Sequence, residues 1–216
     1  MKQTFRAVLF DLDGTLADTL ADLANAVNFA LTLVGCPTHP QDRFRYLVGD
    51  GARNLCQRAL PADRQDLVDE LLHLMRGHYD AHCFDETRLY PGIPELVTEL
   101  HHRSYRMAVL SNKPDVFTKR MVAHFFPSSP FDAVHGQQPG QPIKPDPAVA
   151  LQIAGEFNIP AAEWLYLGDT NTDMRTATNA GMFPVGVLWG FREKDELLAT
   201  GAKELIAKPS DLLGLL

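Results

Sequence analysis

The chain has 216 residues, 45% of them hydrophobic and 22% charged, the composition of an ordinary globular protein that can bury a substantial core. Its formal charge of -7 argues against nucleic acid or an anionic membrane as a partner, although a local site can still bind a small anion. The three cysteines have no C-x-x-C spacing, and no stretch predicts a signal peptide or a transmembrane helix. We therefore expect a cytoplasmic protein, either a monomer or a homodimer.

The first predicted element is a strand at Ala7–Phe10, a short apolar run suited to burial on both faces of a parallel sheet. Residues 17–85 then carry apolar side chains at helical spacing, with breaks at 35–37 and 49–51 and no convincing strand. We therefore expect a small helical bundle inserted directly after the first strand.

From residue 90 onward, short apolar runs alternate with amphipathic segments. Strands are predicted at 107–110, 133–134, 164–167, 184–188 and 204–206, and helices at 94–102, 114–126, 147–157, 173–180 and 193–199. This alternation predicts an α/β fold in which helices cover both faces of a doubly wound parallel sheet. Ligands of such folds bind beyond the carboxyl ends of the strands.

Polar side chains follow three of the predicted strands. The pairs are Asp11 with Asp13, Ser111 with Asn112, and Asp169 with Asp173. Because the carboxyl ends of parallel strands share one edge of the sheet, we expect all three pairs to converge there. Asp11 and Asp13 are two residues apart and leave an extended backbone on the same face, so a cation or a shared proton is needed to relieve their repulsion.

These side chains suit the hydrolysis of a phosphate monoester, whose anionic oxygens repel a carboxylate nucleophile unless positive charge neutralises them. Asp11 can attack phosphorus to form an aspartyl-phosphate. Asp13 can protonate the leaving oxygen and later deprotonate the attacking water. Ser111 and nearby backbone N–H groups can hold a phosphate oxygen, and Lys144 can neutralise charge on the phosphoryl group.

Asp169 would complete an oxygen-rich site for Mg²⁺, and Asp173 would orient a neighbouring ligand or water. Taken singly, the candidate residues have plain structural alternatives: helix caps, a first-turn acid, a solvated lysine and an Asp-Gly turn. Only their occurrence together, in this order and at successive strand ends, favours a functional site.

In this combination the chain resembles the haloacid dehalogenase superfamily. Its four motifs read DLDGT at 11–15, SNK at 111–113, KP at 144–145 and GDTNTD at 168–173. The resemblance implies a Rossmann-like catalytic core formed by residues 1–16 and 86–216, and an all-helical cap domain formed by residues 17–85.

The resemblance also implies a cofactor, Mg²⁺. The ion would be held by the side chains of Asp11 and Asp169 and by the backbone carbonyl of Asp13. The aspartate at position 13 argues against a true haloacid dehalogenase, which needs no metal and carries no aspartate there.

Within the superfamily, the chain is most similar to phosphoglycolate phosphatases. Residues 47–55, LVGDGARNL, resemble the cap loop that these enzymes place over the substrate. On this resemblance, the candidate phosphate and substrate contacts are Thr15, Ser111, Asn112, Gly49, Gly51, Arg45 and Arg53. The two arginines have an equally plain alternative as solvated helix residues.

The leading hypothesis is a magnesium-dependent phosphatase acting through an aspartyl-phosphate, with 2-phosphoglycolate as its substrate. Alternatives within the superfamily are a phosphatase for a sugar or amino-sugar phosphate and a phosphosugar mutase. A non-catalytic metabolite-binding protein on the same fold is an alternative from another class. We also predict that the cap opens and closes about hinges near residues 17–19 and 83–90.

Overall fold

Within residues 4–216, which the computed structural model describes, the chain forms eight β-strands and nine α-helices. The strands are β1 (Ala7–Phe10), β2 (Ala17–Asp18), β3 (Arg88–Leu89), β4 (Arg106–Pro114), β5 (Ala133–Gln137), β6 (Trp164–Gly168), β7 (Phe183–Val187) and β8 (Glu204–Ile206). The helices are α1 (Leu20–Leu33), α2 (Phe44–Leu47), α3 (Ala52–Ala59), α4 (Val68–His82), α5 (Ile93–His102), α6 (Asp115–Phe125), α7 (Ala148–Glu156), α8 (Asn171–Ala180) and α9 (Lys194–Ala199).

Six of the strands form one sheet in the order β5-β4-β1-β6-β7-β8, and every neighbouring pair is parallel. The chain leaves the central β1 toward β4 and β5 on one side, then crosses to β6, β7 and β8 on the other. The carboxyl ends of β1, β4 and β6 therefore meet where the strand order reverses, which is where such folds bind ligands. The predicted α/β fold with a doubly wound, Rossmann-like parallel sheet is confirmed.

Alternate residues of β1 enter two different cores, as the two-residue period of a strand requires. Val8 and Phe10 pack in a large apolar cluster that includes buried residues of α5 and α6. Ala7 and Leu9 pack in a second cluster with buried residues of α7 and α8. Because both faces are covered, the strand reads as a continuous apolar run rather than an alternating one.

The four helices between β2 and β3 pack on one another and share the larger apolar cluster. Helix α4 packs against both α1 and α3, and α1 also contacts α2. Phe44 and Leu71 are fully buried in this cluster. The boundaries of a separate cap domain at residues 17–85 stay a prediction. No helix within residues 4–216 has both the length and the apolar character needed to cross a bilayer.

The structure departs from the expected elements at both ends of this insertion and at two strand ends. Residues 17–85 were expected to be entirely helical, but β2 pairs with β3 in an antiparallel ribbon, with Ala17 opposite Leu89. A strand of two residues is too short to show an alternating pattern in the sequence. It forms only because β3 lies beside it and pairs with it. β4 and β5 also continue past their expected ends, because an irregularity in register after Leu110 lets Pro114 pair with Gln137.

Candidate active site

Asp11, Lys144 and Asp173 form a buried ionic chain at the carboxyl edge of the sheet. The backbone N–H of Asp11 donates to the carbonyl of Leu167 at 2.9 Å, which holds the turn after β1 against β6. The Lys144 Nζ lies 2.8 Å from Asp11 Oδ1 and 2.6 Å from Asp173 Oδ1. The three side chains are almost wholly buried, so water screens these charges little.

Residues at the start of α8 hold Asp173, the last member of this ionic chain, in place. The Asp173 Oδ2 accepts hydrogen bonds from the backbone N–H of Thr170 at 3.0 Å and from its hydroxyl at 2.6 Å. Thr170 and Asp173 thus form a reciprocal capping box, which is the structural alternative considered for this aspartate. Asp173 both caps the helix and contacts the ionic chain, because its Oδ2 takes part in the capping box while its Oδ1 contacts Lys144 and orients it.

A third carboxylate, that of Asp169, completes a cluster suited to a metal ion. Carboxylate oxygens of Asp11, Asp169 and Asp173 lie within 4.8 Å of one another, and all three residues are buried. Asp169 accepts from the backbone N–H of Phe191 at 2.8 Å and from the Thr15 hydroxyl at 3.2 Å. Thr15, predicted as a phosphate contact, is therefore placed against this carboxylate.

The electrostatics of the cluster fit a hard divalent cation. Burial and the Asp173 carboxylate raise the pKa of Asp11 to about 7, although Lys144 opposes the shift. Burial, with Asp173 and Asp11, also raises the pKa of Asp169 well above its usual value. One lysine does not balance three buried carboxylates, whereas an oxygen-binding divalent cation beside them would. Asp11 Oδ1 accepts no hydrogen bond of good geometry apart from its ion pair with Lys144, which leaves it a lone pair for such a cation.

The Asp13 side chain has different partners from that of Asp11. Its Oδ1 accepts from the Thr19 hydroxyl at 2.7 Å, and Lys113 Nζ lies 2.9 and 3.1 Å from its two oxygens. The two aspartates of the first motif are thus separated electrostatically, one beside Lys144 and the other beside Lys113. This separation agrees with the different roles predicted for them.

Asn112 connects three segments rather than lying free to bind phosphate. Its Oδ1 accepts from the backbone N–H of Lys144 at 2.9 Å. Its Nδ2 donates to the carbonyls of Lys144 and Gly49, each at 3.0 Å. Its amide is therefore used to position the lysine loop and the loop at 49–51. The neighbouring Ser111 lines the cavity described below.

Gly49, Asp50 and Gly51 bring the inserted segment over the strand ends. Gly49 (φ 126°) and Gly51 (φ 88°) adopt backbone conformations that favour glycine, and both line the cavity. Between them, Asp50 accepts from the Thr172 hydroxyl at 2.7 Å and pairs with Arg58. Burial opposes ionisation of Asp50, but these two hydrogen bonds outweigh it and hold its pKa below the usual value.

A cavity of about 50 Å³, measured as the space open to the centres of water molecules, lies between the strand ends and the inserted helices. The core contributes Asp11, Asp13, Ser111, Lys113, Lys144 and Phe117, and α3 and α4 contribute Leu55, Met75, Arg76 and Tyr79. The cavity therefore has anionic and cationic groups on the core side and largely apolar walls from the insertion.

Comparisons with known proteins agree with this geometry. The sequence profile of the family "Haloacid dehalogenase-like hydrolase" matches residues 8–187. The chain belongs to this family. A phosphoglycolate phosphatase of Haemophilus influenzae is 31% identical over 88% of this chain and 89% of its own length, and one of Vibrio parahaemolyticus is 30% identical over 98% and 96%.

Solved structures of the family show the same fold. A structure from Lactobacillus delbrueckii subsp. bulgaricus, provisionally assigned as a phosphoglycolate phosphatase, superposes with a TM-score of 0.91. The two chains are 28% identical, and the match covers 97% of each. These findings confirm the predicted superfamily, the similarity to phosphoglycolate phosphatases and the enzyme class, a phosphoric monoester hydrolase. The roles of individual residues stay predictions.

Two residues predicted to contact the substrate of this hydrolase lie elsewhere. Arg53 is 58% exposed and pairs with Asp69 on the outside of the inserted helices. Arg45 donates to the carbonyl of Gly190 at 3.1 Å and does not line the cavity. The direction of a long side chain depends on which partners surround it, so the spacing of the cap loop could not decide either position.

Three residues near the cavity of the hydrolase had no predicted role. Lys113 lies two residues after Ser111 in β4 and lines the same cavity, a spacing that could have identified it. Tyr79 lies in a helical pattern that reads simply as core. Arg192 is buried and donates to the carbonyl of Val48 at 3.0 Å, a contact that no sequence pattern indicates.

Proposed function

We propose that this hydrolase is a magnesium-dependent phosphatase that converts 2-phosphoglycolate to glycolate and phosphate through an aspartyl-phosphate. The observation that carries the proposal is the placement of Asp11. It lies in a buried three-carboxylate cluster beside Lys144, with the differently partnered Asp13 lining the same cavity. The names of the relatives support the choice of substrate.

The proposed reaction has two steps, and the positions of these side chains support it. A carboxylate oxygen of Asp11 attacks phosphorus, and the bond from phosphorus to the ester oxygen breaks as Asp13 gives that oxygen a proton. Asp13 then takes a proton from water, which attacks the phosphorus and releases Asp11. Ser111 and Lys144 hold phosphoryl oxygens and offset their charge throughout.

The metal would be held by the carboxylates of Asp11 and Asp169 and by the backbone carbonyl of Asp13. When bound, it neutralises negative charge on the nucleophile and on the phosphoryl group. Asp173 contributes indirectly, because its carboxylate orients Lys144. The cavity offers about 50 Å³ of space to the centres of water molecules, and a single water needs about 10–15 Å³ of it. A cavity of this size supports a small ester as the substrate.

Hydrolysis of a panel of phosphate esters, measured as kcat/KM with Mg²⁺, tests the proposal. The panel contains 2-phosphoglycolate, sugar phosphates and amino-sugar phosphates. We expect 2-phosphoglycolate to be preferred, inorganic phosphate to appear in equal amount with glycolate, and excess chelator to stop turnover. Isomerised sugar phosphate with little free phosphate would identify a mutase, and binding without turnover would identify a non-catalytic protein.

The variant Asp11→Asn, assayed in the same experiment, tests whether Asp11 is the nucleophile. We expect turnover to be lost while the melting temperature stays near that of the parent, because the amide keeps the size of the side chain but is not a nucleophile. Asp66→Asn, a change at an exposed aspartate, is the matched control and should retain activity. Full activity in Asp11→Asn would refute the aspartyl-phosphate mechanism.

The predicted cytoplasmic location is part of this proposal. Cys36, Cys56 and Cys83 are buried as free thiols, which supports a reducing compartment.

A further inference from the structure

A second group of side chains lines the cavity and is assigned no step of the proposed phosphoryl transfer. Lys113, from the end of β4, is 3% exposed, and its Nζ lies 4.7 Å from the ring centroid of Tyr79 on α4. Both residues line the cavity, together with the apolar side chains of Met75 and Phe117. A buried lysine between apolar walls is costly unless it is paired, so its partners are informative.

Lys113 and Tyr79 both retain hydrogen-bonding capacity. Lys113 spends two of its three ammonium N–H groups on the two oxygens of Asp13, at 2.9 and 3.1 Å. The Tyr79 hydroxyl is buried and, among the described residues, makes no hydrogen bond of good geometry, although the Lys113 ammonium lies close to it. The third N–H of Lys113 and the hydroxyl proton of Tyr79 thus lie together at one wall of the cavity. Their chemistry fits an anionic acceptor.

The position of Lys113 relative to Asp13 indicates which part of a substrate it would meet. To protonate the leaving oxygen, Asp13 must lie within hydrogen-bond distance of it. Lys113 contacts that same carboxylate. An anionic group close to the leaving oxygen would therefore lie beside Lys113. In 2-phosphoglycolate a single methylene separates the ester oxygen from the carboxylate.

We propose that Lys113 and Tyr79 form the subsite that binds the carboxylate of the leaving group, and that they select small phosphate esters carrying a carboxylate. This inference rests on the proposed phosphatase function. The third N–H of Lys113 and the Tyr79 hydroxyl donate to the carboxylate, while Lys113 keeps its contact with Asp13. An uncharged leaving group leaves these donors without a charged acceptor, and a site built on buried donors rejects such an analogue strongly.

The test compares two substrates that differ only at this group: 2-phosphoglycolate and 2-hydroxyethyl phosphate, in which CH₂OH replaces the carboxylate. The measured quantity is the ratio of their kcat/KM values. We expect the wild-type protein to favour 2-phosphoglycolate. Lys113→Met should reduce that ratio about 100-fold, because it removes a charge-assisted hydrogen bond in a buried site. Tyr79→Phe should reduce it about 10-fold.

Lys119→Met is the matched control, because Lys119 is a 55% exposed lysine of α6 paired with Asp115. It should leave the ratio unchanged. Taking a ratio removes any general effect of Lys113→Met on Asp13, since that effect bears on both substrates. If Lys113→Met does not fold, Tyr79→Phe decides, because it removes a single hydroxyl from a side chain that stays buried.

The outcomes separate the inference from the function on which it rests. No hydrolysis of either ester by the wild-type protein with Mg²⁺ would overturn the proposed function. Hydrolysis with equal losses on both substrates in Lys113→Met and Tyr79→Phe would overturn the carboxylate subsite alone. A wild-type preference for 2-hydroxyethyl phosphate would also overturn it.

Discussion

Two glycines determine how closely the backbone approaches Asp169. A β-carbon at Gly190 would overlap the β-carbon of Asp169 and lie 2.5 Å from the carbonyl of Gly14. A β-carbon at Gly14, which has a φ of 85°, would overlap the Asp169 carboxylate itself. The carboxylate is therefore held by hydrogen bonds from Phe191 and Thr15 and by backbone on which no side chain fits.

Gly190→Ala should displace Asp169 and weaken the binding of Mg²⁺. We expect the free energy of unfolding to fall by about 1–3 kcal/mol, because the added methyl group has no space. The increase in melting temperature on adding Mg²⁺ should shrink, and kcat should fall at least tenfold. Gly155→Ala is the control, since within residues 4–216 no atom beyond its chain neighbours and its own helix backbone lies within 4 Å of a β-carbon there. An undiminished Mg²⁺ effect in Gly190→Ala would contradict the assignment of Asp169 as a ligand.

At the scale of elements, the loop at 48–50 is attached to the core by several hydrogen bonds. Arg192 donates to the Val48 carbonyl at 3.0 Å, and Thr172 donates to Asp50 at 2.7 Å. Asn112 adds a bond to the Gly49 carbonyl. These contacts join the inserted segment to β4, α8 and the loop after β7, so they hold one wall of the cavity in place.

Thr172→Val should loosen this loop without touching the reacting groups. The change removes a hydrogen bond to a charged carboxylate, worth about 1–1.5 kcal/mol at a half-buried position. We expect KM for 2-phosphoglycolate to rise about 5- to 10-fold and kcat to change less. Thr98→Val, at an exposed threonine that bonds only its own helix, should leave both constants unchanged. A fall in kcat with unchanged KM would show that the loop does not control binding.

Acid should weaken the attachment of the same loop to the core, because protonation of Asp50 removes the charge on which its hydrogen bonds depend. Its pKa is lowered on folding, so the folded chain binds fewer protons than the unfolded chain around the usual pKa of 3.8. The stability that Asp50 contributes is therefore present above that value and is lost as the pH falls through the lowered pKa. Thr172→Val removes one cause of this shift and raises the pKa toward 3.8, so the melting temperature of the variant should fall less on acidification than that of the parent.

At the scale of the whole molecule, both connections to the inserted helices are tied together. β2 and β3 pair at the base of the insertion. The buried Asp22 of α1 accepts from the backbone N–H groups of Glu86 at 3.0 Å and Thr87 at 2.9 Å, and from the Thr87 hydroxyl at 2.7 Å. The predicted hinges near residues 17–19 and 83–90 thus lie in a hydrogen-bonded ribbon, which favours movement of the inserted helices as one body.

Hydrogen exchange can detect this predicted movement. We expect amides of residues 48–55 to exchange more slowly when Mg²⁺ and orthovanadate occupy the site, because a bound phosphate analogue favours the closed arrangement in which the loop is bonded to the core. Amides of α7, which packs in the other core, serve as the internal control and should not change. Equal exchange at 48–55 in both states would argue against closure.

The sequence by itself determined the order of strands and helices in the core and the identity of the catalytic candidates. Buried parallel strands appear as short apolar runs, as at Ala7–Phe10, because helices cover both of their faces. Residues that follow such runs must meet at one edge, so Asp11, Ser111 and Asp169 could be brought together without coordinates. Motif spacing added Lys144, whose pairing with Asp11 agrees with the expectation.

Only the tertiary structure decided which side chains these residues meet. Asp13 pairs with a lysine 100 residues away in the sequence. β2 pairs with β3, which follows the inserted helices in the sequence. Arg53 turns outward to Asp69, and Tyr79 turns inward to Lys113, although both lie on helices with ordinary amphipathic patterns. Such contacts depend on how distant segments pack, and helical or strand periodicity records only which face of an element is buried. The paired aspartates of the first motif therefore acquire their separate partners from the fold, not from their spacing.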